Sequence, residues 1–282
     1  MKLKIGEHFF SWNRPLVMGI LNLTPDSFYD GGSHNNTDDV LRHCEKMLTD
    51  GADIIDIGAF SSRPGSEIIS VEEENSRLIP YLIEIRKRFP EAIVSIDTFR
   101  KDVAKNALEN GADIINDISG GIFDEEMLPF IGETRTPYIM MHCGGSIESL
   151  HTNLIKENPC DIVKSFFEKQ IDFLSKYGEQ QIILDPGIGF NKSMKCNFEL
   201  LNNIDKYRVD NLPVLIGISR KSMIYKTLNT TSKEALNGTT VLNTIALIKG
   251  ADILRVHDVK EAVEAVKLIG ELRNLGTEEL RN

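Results

Sequence analysis

A helix-to-strand motif recurs along this chain, and its clearest copy reads Gly111-Ala112-Asp113-Ile114-Ile115-Asn116-Asp117. Two further copies begin at Gly51 and at Gly250, and each copy follows a segment with the periodicity of an amphipathic helix. Each starts with glycine, which often follows a helix C-terminus in a left-handed conformation, and continues into a short apolar run typical of a buried parallel strand. A polar residue then stands at the same step of each copy: Asp56, Asn116 and Arg255.

The repetition of this motif predicts the fold class. One glycine-alanine-aspartate run is a common connection, but three copies with polar ends indicate a βα barrel, whose functional side chains gather at the C-terminal ends of its strands. The length of 282 residues suits one barrel of about 250 residues, and no linker divides the chain. We therefore predict an α/β fold, a single (β/α)8 TIM barrel over residues 1–282, with a short strand or hairpin within residues 2–10.

Periodicity and turn signals divide the chain into elements. The predicted strands are 16–21, 53–57, 93–96, 114–115, 138–141, 182–184, 214–218 and a run ending at 255–257, and the predicted helices are 37–49, 71–88, 100–110, 124–131, 161–177, 236–249 and 259–275. Two loops, 22–36 and 58–70, are long for a barrel, and we expect them to become ordered when ligands bind.

Composition narrows the function classes. The net charge of −10 argues against a nucleic-acid or anionic-membrane surface, although it leaves room for a local basic pocket. The four cysteines are far apart and form no Cys-x-x-Cys pair, so they indicate reduced thiols rather than a zinc site or a disulfide scaffold. The first ten residues have no apolar signal core and no run is long enough to span a membrane, so we expect a cytoplasmic protein.

Polar residues follow every predicted barrel strand and would converge at one mouth. A carboxylate such as Asp185 can bind two adjacent N–H groups, and a carboxamide such as Asn116 offers both a donor and an acceptor. The mixture suits a ligand with a hydrogen-bonding heterocycle at one end and an anionic group, such as a phosphate or diphosphate, at the other. The strand ends are Asn22, Asp56, Asp97, Asn116, His142, Asp185, Lys221, Arg255 and His257, and Arg63 joins Arg255 and His257 as an anion-binding candidate.

Several stretches together resemble dihydropteroate synthase, the folate-pathway family that sulfonamides inhibit. The resemblance covers roughly the whole chain from the first strand to the last helix, and its motifs occur in order at barrel-like spacing. The stretches are MGILNLTPDSFYDGG (18–32), SSRPG (61–65), SIDT (95–98), IND (115–117), LDPGIGF (184–190), SRKS (219–222) and RVHDV (255–259).

The resemblance implies condensation of 6-hydroxymethyl-7,8-dihydropterin diphosphate with p-aminobenzoate, giving 7,8-dihydropteroate and diphosphate. It implies catalytic roles for Asp97, Lys221, Arg255 and His257, and Mg²⁺ as cofactor at Asn22. By the same resemblance, the pterin would contact Asp97, Asn116, Met140, Asp185 and Lys221, the diphosphate Asn22, Arg63, Arg255 and His257, and p-aminobenzoate Ser62, Arg63, Pro64, Phe190, Ser219 and Lys221. The family is commonly dimeric, so a homodimer built mainly from the C-terminal helices is expected.

Three positions depart from the family pattern. Ser62 replaces the usual threonine and keeps its hydroxyl, while Phe60 stands where many members have glutamate, so the second loop is expected to pack differently. His142 and Cys143 replace a Met- and Gln-rich sequence after strand five, which leaves the role of His142 open. Cys143 is not expected to be a nucleophile, because this chemistry requires none.

Two other functions compete with this interpretation. A methyltransferase that moves the methyl group of methyltetrahydrofolate to a corrinoid also binds a pterin with Asp and Asn strand ends, but it needs no diphosphate site. The Ser-Ser-Arg-Pro-Gly loop and the pair Arg255 and His257 therefore favour the synthase. A non-catalytic pterin-binding relative would show the loss of a key strand end, and none is missing here.

Overall fold

The structure is a computed structural model that describes residues 2–5, 8–11, 13–23, 35–60, 68–147, 150, 152 and 154–278. Strands β1 (Lys2–Ile5) and β2 (His8–Ser11) form an antiparallel hairpin, which confirms that prediction. Leu3 of the hairpin belongs to the apolar cluster inside the barrel, and Lys4 exchanges hydrogen bonds with the side chain of Gln181. The hairpin therefore covers the end of the barrel at which the strands begin.

Eight parallel strands form the barrel, in the spatial order β8-β7-β6-β5-β4-β3-β10-β9. The ring closes where the backbone N–H of Leu184 donates to the carbonyl of Pro213 at 2.8 Å, beside a bridge between Leu184 and Val214. The predicted TIM barrel is confirmed. The strands are β3 (Leu16–Asn22), β4 (Ile54–Gly58), β5 (Ile93–Asp97), β6 (Ile114–Asp117), β7 (Tyr138–Met141), β8 (Ile182–Asp185), β9 (Leu215–Ile216) and β10 (Ile253–Val256).

Ten helices are assigned within the described residues, and they include the seven predicted from periodicity. None of these helices is long and apolar enough to cross a membrane. The helices are α1 (Asn35–Thr49), α2 (Val71–Arg88), α3 (Lys101–Glu109), α4 (Met127–Thr134), α5 (Pro159–Ser175), α6 (Met194–Asn202), α7 (Ile204–Tyr207), α8 (Ser222–Tyr225), α9 (Leu236–Ile248) and α10 (Val259–Glu278).

Helix α6 shows where periodicity was insufficient. Its N-cap is Ser193, whose hydroxyl accepts from the backbone N–H of Cys196 at 3.2 Å, and its buried face includes the polar Asn197. A nine-residue helix with a polar residue on its inner face gives a weak apolar repeat, so the sequence pattern indicated no element there. Strand β9 is likewise two residues long instead of the five predicted.

The repeated motif has one structural meaning in all three copies. Its glycine has φ near +100° at Gly51, Gly111 and Gly250. Residues with a Cβ atom rarely adopt this conformation because of steric clashes. The aspartate of the motif accepts a hydrogen bond from one backbone N–H at or just before the start of a neighbouring strand, and it pairs with an arginine at the base of the barrel. Asp53 accepts from Val17 and pairs with Arg14. Asp113 accepts from Val94 and pairs with Arg86, and Asp252 accepts from Val214 and pairs with Arg208.

Alternation along the strands sorts side chains between two apolar regions. One face packs against the surrounding helices, and the other fills the barrel interior. The interior cluster lies toward the strand starts, and the next interior positions toward the strand ends are polar, including Asp56, Asn116 and Asp185. The strand residues of this interior cluster are Leu16, Met18, Ile54, Ile114, Ile139, Ile183, Leu215 and Ile253.

Candidate active site

A charged network links three strands at the mouth of the barrel. Arg255 donates through Nε to Oδ2 of Asp56 at 2.6 Å and through Nη2 to Oδ2 of Asp97 at 2.6 Å. Asn116 donates through Nδ2 to the same Asp56 oxygen at 3.0 Å. The polar residues that end the three repeated motifs, Asp56, Asn116 and Arg255, are therefore hydrogen-bonded to one another. Asp56 was a predicted strand end without an assigned role, and the structure makes it the acceptor that aligns two candidate ligand-binding groups.

Asp97 differs from Asp56 in its access to solvent. Asp56 is fully buried, whereas about a fifth of the Asp97 side chain is exposed (21 %). Burial raises the pKa of Asp97 to about 7, and the Arg255 guanidinium partly opposes that shift. Asp97 is thus the carboxyl of the network that can meet a ligand and change protonation near neutral pH.

A second group of predicted residues lies on the β8 and β9 side of the mouth. Asp185 ends β8, and its Oδ1 accepts from the backbone N–H of Gly187 at 2.7 Å. Lys221 donates through Nζ to the carbonyl of Ile188, and this ammonium also lies 4.6 Å from the ring centre of Phe190. Asp185, Lys221 and Phe190 are therefore held in one loop cluster.

The charges in this cluster act on each other. Burial raises the pKa of Asp185, while Lys221 and the N–H of Gly187 oppose the increase. Burial lowers the pKa of Lys221 to about 8, and the carboxylate of Asp185 opposes the decrease. The cluster places the Asp185 carboxyl group beside a cation over an aromatic ring, an arrangement that suits a ligand with N–H donors and an adjacent planar group.

His257 and Ser219 meet at the adjoining part of the mouth. The Ser219 hydroxyl lies 3.1 Å from Nδ1 of His257 and also accepts from the backbone N–H of His257 at 3.2 Å. Ser219 is buried and His257 is exposed, so the imidazole reaches outward from a fixed base. Nearby, Arg220 pairs with both oxygens of Asp258, at 2.9 and 2.8 Å, which ties the β9 loop to the start of α10.

The cation prediction centres on Asn22. Asn22 ends β3 and is partly exposed, at the register position opposite Gly58. In the described part of the chain, no group of three His, Cys, Asp or Glu side chains comes together as a metal-binding cluster. A single carboxamide oxygen fits Mg²⁺ that is bound mainly by substrate phosphates and water, and it does not fit a metal held by protein ligands alone. Ser62, Arg63 and Pro64 lie outside the described residues.

Met140, the methionine predicted to contact the pterin, does not face the barrel interior. It is fully buried in the cluster between the sheet and the helices, on the face opposite to the barrel interior. Its neighbour Met141 has the other orientation, pairs in register with Asp185 and packs with Phe99 and Cys143 at the mouth. Two adjacent methionines look alike in sequence, and only the strand register tells which one faces inward.

Phe60 and His142, two residues that depart from the family pattern, pack against aromatic rings. Phe60 makes an edge-on contact with Phe99 at 5.6 Å between ring centres, so an aromatic cluster fixes the start of the second loop. His142 is buried edge-on against Phe166 at 5.0 Å, and burial lowers its pKa to about 3, which keeps the ring neutral. Burial raises the pKa of Cys143 to about 12, so its sulfur is a thiol near neutral pH.

Known proteins are similar in sequence to this chain over nearly its full length. Residues 18–257 match the pterin binding enzyme family. The chain is 40% identical over 274 residues to the dihydropteroate synthase of Synechocystis sp., covering 96% of this chain and 94% of that protein. It is 41% identical over 271 residues to the Escherichia coli (strain K12) enzyme, covering 95% of each chain.

Solved structures give the same result. The Yersinia pestis dihydropteroate synthase in a sulfonamide drug complex superposes with a TM-score of 0.88 at 37% identity, covering 97% of this chain and 100% of that one. The Xanthomonas albilineans enzyme in complex with 7,8-dihydropteroate gives 0.85 at 30% identity, covering 97% and 99%. The sequence and the barrel fold are thus those of a pterin-binding enzyme. Within that class, the chain belongs to the dihydropteroate synthase family.

Proposed function

We propose that this chain condenses 6-hydroxymethyl-7,8-dihydropterin diphosphate with p-aminobenzoate, releasing 7,8-dihydropteroate and diphosphate in folate biosynthesis. The observation that carries the proposal is the set of polar and charged side chains at the barrel mouth. Carboxylate and carboxamide groups for a heterocycle lie beside the cation Arg255 and the exposed His257, in a chain about 40% identical to dihydropteroate synthases over nearly its full length. The reaction is a transfer in which diphosphate is the leaving group.

The pterin end of the site uses the interior polar residues. Asp185 accepts two N–H groups from the edge of the heterocycle, and Asn116 donates and accepts at the same edge. Asp56 holds Asn116 and Arg255 in position for this role. Met141 replaces Met140 as the side chain proposed to contact the ring, because it lies on the face of β7 that leads to the mouth.

The diphosphate end uses Asn22, Arg63, Arg255 and His257. Mg²⁺ at Asn22 supplies positive charge to the diphosphate oxygens when bound. Arg255 and His257 neutralise the charge that grows on the leaving group, and a preorganised group of this kind lowers the barrier more than it would in water. As diphosphate departs, the carbon that it leaves becomes cationic, and the Asp97 carboxylate stabilises that charge.

The aromatic amine binds last in this proposal. Phe190 and Lys221 form one wall of the p-aminobenzoate site, and Ser62, Arg63, Pro64 and Ser219 complete it. The amine nitrogen then attacks the cationic carbon, so the site contributes position and charge more than a strong base. Ser219 acts indirectly, since its hydroxyl is engaged with His257.

A direct assay tests the function against its alternatives. Purified protein is incubated with the pterin diphosphate and radiolabelled p-aminobenzoate, with Mg²⁺ present, and labelled dihydropteroate is separated and counted. We expect labelled dihydropteroate only when the pterin diphosphate, p-aminobenzoate and Mg²⁺ are all present. Methyl transfer from methyltetrahydrofolate to a corrinoid without dihydropteroate formation would point to the methyltransferase, and pterin binding without either product to a non-catalytic relative.

We propose further that the chain acts as a single domain and as a cytoplasmic homodimer. All four cysteines are free and buried, as suits a reducing compartment. Helices α9 and α10 pack together, and each exposes large apolar side chains at a helical spacing that places them on one face. These are Val241 and Ile248 on α9, and Leu268 and Leu272 on α10, each half or more exposed. A second copy of the chain would remove them from water.

A further inference from the structure

Lys192 is a buried lysine outside the predicted site. Its side chain is almost inaccessible (4 % exposed), and its ammonium donates to three backbone carbonyls: His142 at 3.2 Å, Gly187 at 3.0 Å and Phe190 at 3.0 Å. An ammonium group has three donors, so these contacts use all of them. Because a buried charge is costly unless fully hydrogen-bonded, this arrangement stabilises one particular path of the backbone around it.

The carbonyls belong to two different loops at the mouth. His142 follows β7, while Gly187 and Phe190 lie in the loop that follows β8. The two loops touch closely, since a Cβ placed on Gly187 would lie 2.0 Å from the His142 carbonyl oxygen. Without a donor between them, the carbonyl groups of these loops would be packed together with no positive charge to offset their repulsion.

The β8 loop begins and ends with residues of the proposed substrate site. Asp185 starts the loop, and Phe190 closes a turn in which its N–H donates to the Gly187 carbonyl at 3.1 Å. Lys221 holds the carbonyl of Ile188, between the two carbonyls that Lys192 holds. Lys221 therefore holds the loop from the side of the mouth, and Lys192 holds it from the protein interior.

We propose that Lys192 is a positioning residue for pterin binding, which sets the relative placement of the Asp185 carboxylate and the Phe190 ring. The inference rests on the proposed function, since it assumes that these two groups bind the substrates. Burial lowers the pKa of Lys192 to about 7, and the nearby Asp185 carboxylate opposes that shift. Lys192 also provides positive charge behind Asp185, which favours the ionised carboxylate that accepts N–H groups.

The test replaces Lys192 with methionine, which keeps an unbranched side chain one atom shorter and removes the charge and the donors. Binding of 6-hydroxymethylpterin and of inorganic diphosphate with Mg²⁺ is measured by titration calorimetry. We expect Lys192→Met to weaken pterin binding by about tenfold or more, because a carboxylate with misplaced oxygens loses paired hydrogen bonds. Diphosphate affinity should stay within about twofold, since that end of the site lies on other loops.

The matched control is Arg208→Met. Arg208 also donates to backbone carbonyls, those of Leu212 at 2.8 Å and Gly250 at 2.6 Å, but it lies at the base of the barrel. We expect this variant to lower the midpoint of thermal unfolding and to leave pterin affinity within about twofold. Lys192→Arg, which restores the charge and several donors, should recover part of the lost pterin affinity.

The outcomes separate positioning from stability. Lys192→Met with unchanged pterin affinity overturns the inference, as does an equal loss of pterin affinity in Arg208→Met. If Lys192→Met does not fold, Lys192→Gln keeps two N–H donors without the charge and is measured in the same way. Wild-type protein that binds no pterin would instead contradict the proposed function, so the two failures are distinguishable.

Discussion

Arg255 and Asp56 are hydrogen-bonded across the barrel interior at 2.6 Å, although 199 positions separate them in the chain. Each is the polar residue at the end of its own copy of the repeated motif. The fully buried Asp56 carboxylate thereby fixes a guanidinium that also reaches Asp97 at the mouth. The repeat that builds the barrel thus also assembles the centre of the candidate site.

Replacing Asp56 by asparagine should destabilise the protein. The change removes one charge of a buried pair that also accepts from Asn116, and breaking such a pair costs about 3–5 kcal/mol. The free energy of unfolding, measured with urea, should fall by an amount near the lower end of this range, because Arg255 retains its ion pair with Asp97. Glu84→Gln, which breaks an exposed pair with Lys87, is the control and should change little. Equal effects of the two variants would contradict the network.

Asp185→Asn should weaken pterin binding selectively. The substitution keeps the shape of the side chain but turns one acceptor oxygen into a donor, which leaves an unmatched polar contact worth about 1–3 kcal/mol. The dissociation constant for pterin diphosphate should rise roughly ten- to a hundredfold. Calorimetric titration measures it, and an unchanged constant would remove Asp185 from the pterin site.

The pH dependence of kcat/KM should show a narrow optimum. Asp97 stabilises a cation only when deprotonated, so activity should rise as pH increases through its pKa of about 7. Lys221 acts as a cation, so activity should fall as pH rises through its pKa of about 8. Lys221→Arg should lose the alkaline limb, because a guanidinium stays charged. A profile that keeps this limb in Lys221→Arg would assign it to another group.

Stability should respond to Asp97 in the opposite direction from activity. The pKa of Asp97 is raised from 3.8 to about 7 on folding, so the folded chain binds this proton more tightly than the unfolded chain. This carboxyl therefore destabilises the folded protein progressively as pH rises from about 4 to about 7. Comparing urea unfolding of wild type and Asp97→Asn across that range isolates the effect, and parallel curves would argue against a raised pKa.

Binding of p-aminobenzoate should depend on the other ligands. By resemblance, Arg63 serves both the diphosphate and the p-aminobenzoate pocket, so the pocket is complete only when diphosphate holds its loop. A ligand shifts a loop only by its different affinity for the two states. We expect p-aminobenzoate to bind about 5- to 150-fold more tightly when a pterin analogue and Mg-diphosphate are present.

The coupling has a defined control. Arg63→Ala and Arg255→Ala should both reduce it, whereas Arg77→Ala on the outer helix α2 should not, since Arg77 pairs only with Glu73 among its described ionic contacts. Calorimetric titration of p-aminobenzoate with and without the other ligands measures the coupling. Equal affinities in the two wild-type titrations would contradict the role assigned to the loop.

The apolar face of α9 and α10 should control assembly. Leu268→Glu places a charge where 68 % of an apolar side chain is exposed in the single chain, so it should convert a dimer into a monomer without unfolding it. Ile162→Glu on α5 is the matched control and should remain dimeric. Light scattering at micromolar protein measures the mass, and a wild-type monomer would contradict the dimer directly.

The barrel and the positions of most candidate residues can be predicted from the order of amino acids alone. The motif recurs with glycine, aspartate and a final polar residue at fixed steps, and these steps have a direct backbone meaning. Glycine is needed for φ near +100°, the aspartate caps a neighbouring strand, and period two then places the polar residue inside the barrel. Such local requirements are visible in a linear sequence, and the structure brings together Asp56, Asn116 and Arg255, the polar residues of the three copies, at the barrel mouth.

Which of these residues lie in contact depends on how the chain folds in three dimensions. Strand register turned Met141 toward the mouth and Met140 toward the helices, and it joined Asp56 to Arg255. Lys192 carries no motif that marks it as different from a surface lysine, and only the approach of two loops buries it among carbonyls. Burial also shifts the pKa of Asp97 and the pKa of Lys221 toward neutral pH. These properties depend on contacts between residues distant in sequence, because desolvation and hydrogen bonding are fixed only after the chain has closed into the barrel.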